Sequence, residues 1–187
     1  AIPAGGNGGP ELDKGYFAVQ WNSPLDANGH PIPTELKGYP DNINHFVDTG
    51  ITTTNSLAIT NSSQWLNLRF GVSTMDNTGI IPNSDMQRNS YNLTASSNLN
   101  NRLTVSTSVN FVHSYAKNRP ASNRGTNPLD AAYHVPPSIN IMDVKDYKLP
   151  GNKVYNFSDD YANPWFMANE INNGFSRYRL YGNMALE

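Results

Sequence analysis

The amino-acid sequence predicts an all-β chain, about five antiparallel strands of a transmembrane β-barrel carrying long extracellular loops. Three observations predict it. Short segments alternate apolar and polar residues. Their polar positions hold Asn, Ser and Thr, with few of the Lys and Glu that dress solvent-facing strands. Short and long connections alternate along the chain.

The segments follow in order. Residues 53–60 are the weakest, with Leu57 and Ile59 opposite Ser56, Ala58 and Thr60. Residues 65–73 place Leu66, Leu68, Phe70 and Val72 on one side and Asn67, Arg69, Gly71 and Ser73 on the other. Residues 91–98 set Tyr91, Leu93 and Ala95 against Asn92, Thr94, Ser96 and Asn98. Residues 103–111 are the cleanest: Leu103, Val105, Val109 and Phe111 against Thr104, Ser106, Ser108 and Asn110. Residues 178–186 set Tyr178, Leu180, Met184 and Leu186 against Arg179, Tyr181 and Asn183. Successive side chains of a strand point to opposite faces, so each segment has one apolar and one polar side. Segments of about 9 to 12 residues are near the length that crosses a bilayer at a tilt of about 45°. Trp65, Phe70, Tyr91, Phe111 and Tyr178 are expected near segment ends, where interfacial aromatic girdles sit.

The connections carry the argument from sheet to barrel. Asn61 to Gln64 reads as a tight turn, Thr74 to Ser90 as a longer link with Gly79, Pro82 and Asn83, Leu99 to Arg102 as a second short turn, and Ser114 to Ser176 as a very long connection. Residues 1–51, rich in Gly and Pro, keep the same parity. Outer-membrane barrels sort their connections this way, with short periplasmic turns and long extracellular loops. The expected organisation is an extracellular loop over 1–51, four strands with short periplasmic turns over 52–114, a long extracellular loop over 115–176 and a strand over 177–187.

Composition excludes other classes. A formal net charge of −2 does not suit a phosphate-neutralising nucleic-acid binder. Charged residues make up 15%, against about 25% in ordinary soluble domains. Neutral polar residues fill the gap: there are 27 Asn, beside 14 Gly and 13 Pro. That excludes coiled coils and helical bundles, and the 3 Trp, 10 Tyr and 7 Phe argue against disorder. With no Cys, disulfides, thiolate zinc sites and thiol nucleophiles are impossible. No run approaches 18 apolar residues, and no signal-peptide pattern stands in these residues. The chain begins at Ala1, and Leu180 to Glu187 read as a strand cut before its turn, so a piece of a longer protein is expected.

Catalytic and metal readings are weak. Asp159 and Asp160 are adjacent, whereas glycosidase carboxylates face each other across a cleft. His30, His45, His113 and His134 show no ligand spacing, and no Ser sits in G-x-S-x-G. The Gly5 to Gly9 cluster lacks the frame of a phosphate-binding loop, and Asp26-Ala-Asn-Gly29 reads as an Asn-Gly turn rather than a calcium loop. No catalytic residue, cofactor or metal is assigned, and an enzyme is not expected. The loop from 115 to 176 is the candidate for contact with cargo or lid, through Tyr133, His134, Tyr155, Tyr161, Trp165 and Phe166, with Tyr147 and Phe157 nearby. Aromatic faces stack on sugar rings or peptide apolar groups, and Asn and Asp supply directional hydrogen bonds. For any one of these aromatics, packing of the loop on itself or contact with the lid is expected ahead of direct contact with cargo. Arg69, Arg177 and Arg179 alternate with apolar residues, which aims them into the lumen, for ion pairs with a plug or neighbouring strands or for substrate.

An ordered series of motifs resembles the SusC/RagA family of TonB-linked outer-membrane transporters. It runs through Gly9-Pro-Glu-Leu-Asp-Lys-Gly15, Asn44-His-Phe-Val-Asp-Thr-Gly50, Thr54-Asn-Ser-Leu-Ala-Ile-Thr60, Gly79-Ile-Ile-Pro-Asn-Ser-Asp85, Arg88-Asn-Ser-Tyr-Asn-Leu-Thr-Ala-Ser-Ser97, Leu103-Thr-Val-Ser-Thr-Ser-Val-Asn110, Asn118-Arg-Pro120 and Asn163-Pro-Trp165. The resemblance implies a plugged 22-stranded barrel in the outer membrane of a Bacteroidetes-type bacterium. It implies import of glycan or peptide fragments, energy from TonB and a SusD-like surface lipoprotein as lid. Plug, TonB box and closing strand are not found in this stretch, which fits an internal barrel segment. The alternatives are a soluble carbohydrate-binding or adhesin β-sandwich, which would bury the apolar faces against a second sheet, and a secreted glycoside hydrolase fragment.

Overall fold

The computed structural model describes residues 9–100, 102–121, 126–151, 153–159 and 161–187. Most of the Gly5 to Gly9 cluster, and Asp160 of the carboxylate pair, lie outside the described residues. In chain order the elements are β1 (Phe17–Ala18), β2 (Thr34–Glu35), α1 (Asn42–Phe46), β3 (Ile51–Ser62), β4 (Leu66–Thr78), β5 (Asp85–Asn100), β6 (Leu103–Ala116), α2 (Pro128–Tyr133), a 3₁₀ turn (Ile141–Val144), β7 (Lys148–Leu149), β8 (Lys153–Val154), α3 (Pro164–Glu170) and β9 (Phe175–Leu186). The chain is mostly β, and it divides into two compact units.

One unit takes residues 49–79, 84–119 and 173–187 and holds a five-stranded antiparallel sheet in the order β3-β4-β5-β6-β9. All five expected strands are present, and all run past the segments where apolar residues alternate. The largest departure is the expected link from Thr74 to Ser90. Its flanks are strand: Thr74 pairs with Asn89, Met75 with Arg88, Asp76 with Gln87, Asn77 with Met86 and Thr78 with Asp85. Only Gly79 to Ser84 connects β4 to β5, closed by the Gly79 amide donating to the Ser84 carbonyl at 3.0 Å, with Asn83 at φ 60°. Backbone ladders need no apolar side chains, so pairing continues where the hydrophobic signal stops. The order of connection lengths survives: the β4–β5 link is longer than the β3–β4 and β5–β6 turns and far shorter than the connection from β6 to β9.

The second unit takes residues 1–48, 80–83 and 120–172, so residues of both long stretches fall in one compact unit. Its core joins Phe46 to Ala132, Val135, Ile139, Ile141, Val144, Tyr147, Trp165 and Ala168. Asn-Pro pairs start two of its helices. Asn127 precedes Pro128 at the head of α2, and its side chain accepts from the Leu129 amide at 3.0 Å. Asn163 precedes Pro164 at the head of α3 and accepts from the amides of Trp165 at 2.8 Å and Phe166 at 3.1 Å. An Asn cap satisfies amides that have no intrahelical partner, and Pro at the first helical position has no N–H to satisfy. Buried Asn side chains also tie segments together. Asn163 donates to the carbonyls of Val144 at 2.7 Å and Tyr155 at 2.9 Å. Asn42 donates to the Ile139 carbonyl at 2.7 Å and accepts from the Ile141 amide at 3.0 Å. Part of the Asn-rich composition is thus structural glue for backbone that no sheet satisfies.

Candidate functional site

Register decides what the five-stranded sheet offers on each side. On one face, side chains line up in rows across the strands. Leu57, Val72, Tyr91, Phe111 and Leu180 form one row, and Ile59, Phe70, Leu93 and Val109 form the next with Gly182. Below these run Leu68, Ala95, Thr107 and Met184, then Leu66, Ser97, Val105 and Leu186. The result is one apolar band crossing every strand. Its large side chains are exposed: Leu180 is 71% accessible, Leu93 is 40%, and Leu57, Ile59, Phe70 and Met184 are exposed as well.

Aromatic rings border the band at one end. Tyr91 and Phe111 lie 6.0 Å apart between ring centroids, Phe111 and Tyr178 6.3 Å, and Tyr178 stacks on His113 at 4.3 Å. His113 Nε2 lies 3.0 Å from Ser176 Oγ on the same face. Trp65 stands at the other end of the sheet, in the β3–β4 turn. Phe70 departs from the expectation for segment ends. Because β4 extends to Thr78, Phe70 lies in the middle of the band.

The opposite face is neutral and polar over most of its length. Asn92 donates to the directly opposite Asn110 at 2.7 Å, Ser56 bonds Ser73 at 2.9 Å, and Asn77 donates to Thr52 at 2.7 Å. Ser62 and Asn67 are also bonded. Cross-strand pairs of this kind stabilise a sheet without burying anything. At the end near Ser114 the polar face becomes a hollow of about 860 Å³, lined by Arg88, Arg119, Arg177, Arg179 and Tyr181 among others. Arg88 and Arg177 both flank Ser114 in one row, and Arg179 is two residues further along β9. Arg69, also on this face, stands three rows away and outside the hollow.

The aromatics expected to meet cargo or lid divide by burial. Trp165 is a core residue, 5% accessible; it packs edge-on against Phe46 at 5.0 Å and donates Nε1–H to the Ile141 carbonyl at 2.9 Å. Phe166 meets Tyr147 edge-on at 5.8 Å, and Tyr155 lies 5.2 Å from Trp21. His134 stacks on Tyr161 at 4.8 Å, with Nδ1 2.7 Å from the Asp130 carbonyl oxygen. Only Tyr133, 66% accessible, stands out largely free. Self-packing thus accounts for the placement of most of these rings, and the six do not form one surface cluster.

Among the described residues of this second unit, three groups titrate away from their ordinary values. Tyr147 donates to Glu170 at 2.8 Å; burial first, then the hydrogen bond and charge of that carboxylate, push the phenol up to about 12. Glu170 is held below the ordinary carboxylate range by hydrogen bonds from Lys148, at 2.8 Å, and Tyr147. Asp26 is lowered chiefly by the backbone amides of His30 and Asn28, each 2.8 Å from its Oδ1. With Gly29 at φ 84°, that arrangement is the Asn-Gly turn expected from the sequence. Among the described residues, no group of three or more His, Asp or Glu gathers to hold a metal.

No protein-family model matches this chain, and no curated protein matches it.

Proposed function

We propose that the five-stranded sheet is part of the wall of an outer-membrane β-barrel, and that the whole protein is a TonB-dependent importer of glycan or peptide fragments. One observation carries the reading: an apolar band crosses all five strands, lies open on one face and backs onto a polar face that is neutral over most of its length. In a barrel that band meets acyl chains and the polar face lines the lumen. A soluble sandwich would cover such a band, because large contiguous apolar surface in water drives association.

The proposal extends to the assembly. Within the sheet, β3 and β9 each pair on one side only. Open edges are not tolerated in hydrocarbon, so further strands pair there and close a larger barrel, of the plugged 22-stranded kind. A SusD-like lipoprotein would cap the extracellular mouth and TonB would supply energy, as the resemblance to SusC/RagA transporters implies. Tyr133 and the Tyr161 and His134 pair are the aromatics on offer for cargo or lid. Extraction tests the reading. The whole protein should partition with outer membranes, require detergent and migrate differently on gels when unheated. Recovery as a stable monomer from buffer alone would refute it.

A further inference from the structure

The small net charge of the chain conceals a separation. The unit containing the sheet holds seven Lys and Arg against three Asp and Glu, whereas the other holds six against twelve. Of the seven, four are the arginines of the polar hollow. None of the three carboxylates answers them. Asp76 and Asp85 belong to the opposite face by register, and Asp85 already accepts from the Lys117 amide at 3.0 Å. Glu187 lies at the far end of the sheet, bonded through its backbone to Thr104. Among the described residues, none of the four guanidinium groups is in an ion pair.

We infer that this hollow binds an anionic saccharide, one carrying carboxylate or sulfate groups. The inference rests on the importer reading and narrows its cargo. Like charges held close repel, and a concave face of one sign focuses the field on whatever enters it. Arg88 and Arg177 are separated by two inter-strand spacings, about 9.6 Å, and Arg177 and Arg179 by about 6.7 Å along one strand. Such spacings suit successive charges on a chain of acidic sugars better than one small ion. The guanidinium fork matches carboxylate and sulfate oxygens in two-point hydrogen bonds. The remainder of the lining suits sugar: Ser90 and Ser114 present hydroxyls, and Tyr181 offers an exposed ring for stacking.

The test is calorimetric titration of the whole protein in detergent with hexagalacturonate, neutral maltohexaose and hexaglutamate, at about 25 and 150 mM salt. Hexagalacturonate should bind at least tenfold tighter than maltohexaose and weaken as salt rises. The double variant Arg177→Gln/Arg179→Gln, and Arg88→Gln alone, should each lose about tenfold or more with unchanged circular dichroism. Arg69→Gln, outside the hollow, should bind as the native chain does. Equal binding of acidic and neutral sugar, or native binding by the double variant, overturns the inference. Tighter binding of hexaglutamate also overturns it, because the occupant is then an acidic peptide. Failure of the importer reading shows separately, as solubility without detergent, and does not depend on these titrations.

Discussion

Leu93→Arg separates a lipid-facing sheet from every aqueous alternative. The apolar band has five levels, from Tyr178 and His113 at one border to Leu66 and Leu186 at the other, and Leu93 occupies the middle one. Four two-residue steps of about 6.7 Å span about 27 Å along the strands, or about 20 Å along the membrane normal at a tilt near 40°. That approaches the roughly 25 Å apolar band of outer-membrane barrels and puts Leu93 close to the midplane. Arginine there should cost about 2–4 kcal/mol, whereas Leu66→Arg at the border should cost about 0–1 kcal/mol. Ser96→Arg, three residues along but on the polar face and opposite Asn67 and Ser106, should stay within about 0.5 kcal/mol. The assay is reversible guanidinium unfolding of the whole protein in phospholipid vesicles, followed by far-ultraviolet circular dichroism. If the face meets water, the exposed leucines tolerate the change alike. A cost at Leu93 equal to that at Leu66, with no dependence on depth, would refute the reasoning.

Other expected outcomes follow from particular contacts. Asn163→Ala removes the α3 cap and leaves the buried Val144 carbonyl and the half-buried Tyr155 carbonyl without their donor, so it should destabilise the loop-derived unit by about 3 kcal/mol in chemical denaturation; no change in midpoint would contradict that role. A Cβ at Gly182 would lie 2.4 Å from the Ser108 carbonyl oxygen, so Gly182→Ala should weaken the β6–β9 pairing by about 1–3 kcal/mol and speed amide exchange along β9, whereas native exchange would show that the strands can separate freely. Tyr147 has its folded pKa raised from 10.0 to about 12, so its contribution is complete below pH 10 and is lost as pH rises from about 10 to about 12. Tyr147→Phe should flatten that stretch of the stability-pH profile. Glu170 has the opposite sign: its contribution is complete above the ordinary value of 4.5 and fades as pH falls through its lowered folded value, a slope that Glu170→Gln should remove.

Five strands, and the apolar face of each, are legible in the residues alone. Period two is a local property: whether Leu103, Val105, Val109 and Phe111 share a side follows from backbone geometry with no knowledge of neighbours. The Asn-Gly turn at 26–29 is legible too, because that turn is held by its own residues. Three things were decided only in three dimensions. Strand ends were set by inter-strand hydrogen bonds, which carried β4 to Thr78 and moved Phe70 inward although Thr74, Asp76 and Thr78, the residues of the extension on the band's face, are all polar. The aromatics of 115–176 divided into core and surface because residues 1–48 fold with them, a long-range association that gives Trp165 its partner in Phe46. The arginines became a cluster through register alone. Arg88 and Arg177 are far apart in the chain, and only the antiparallel pairing of β5, β6 and β9 brings both beside Ser114, where their charges add.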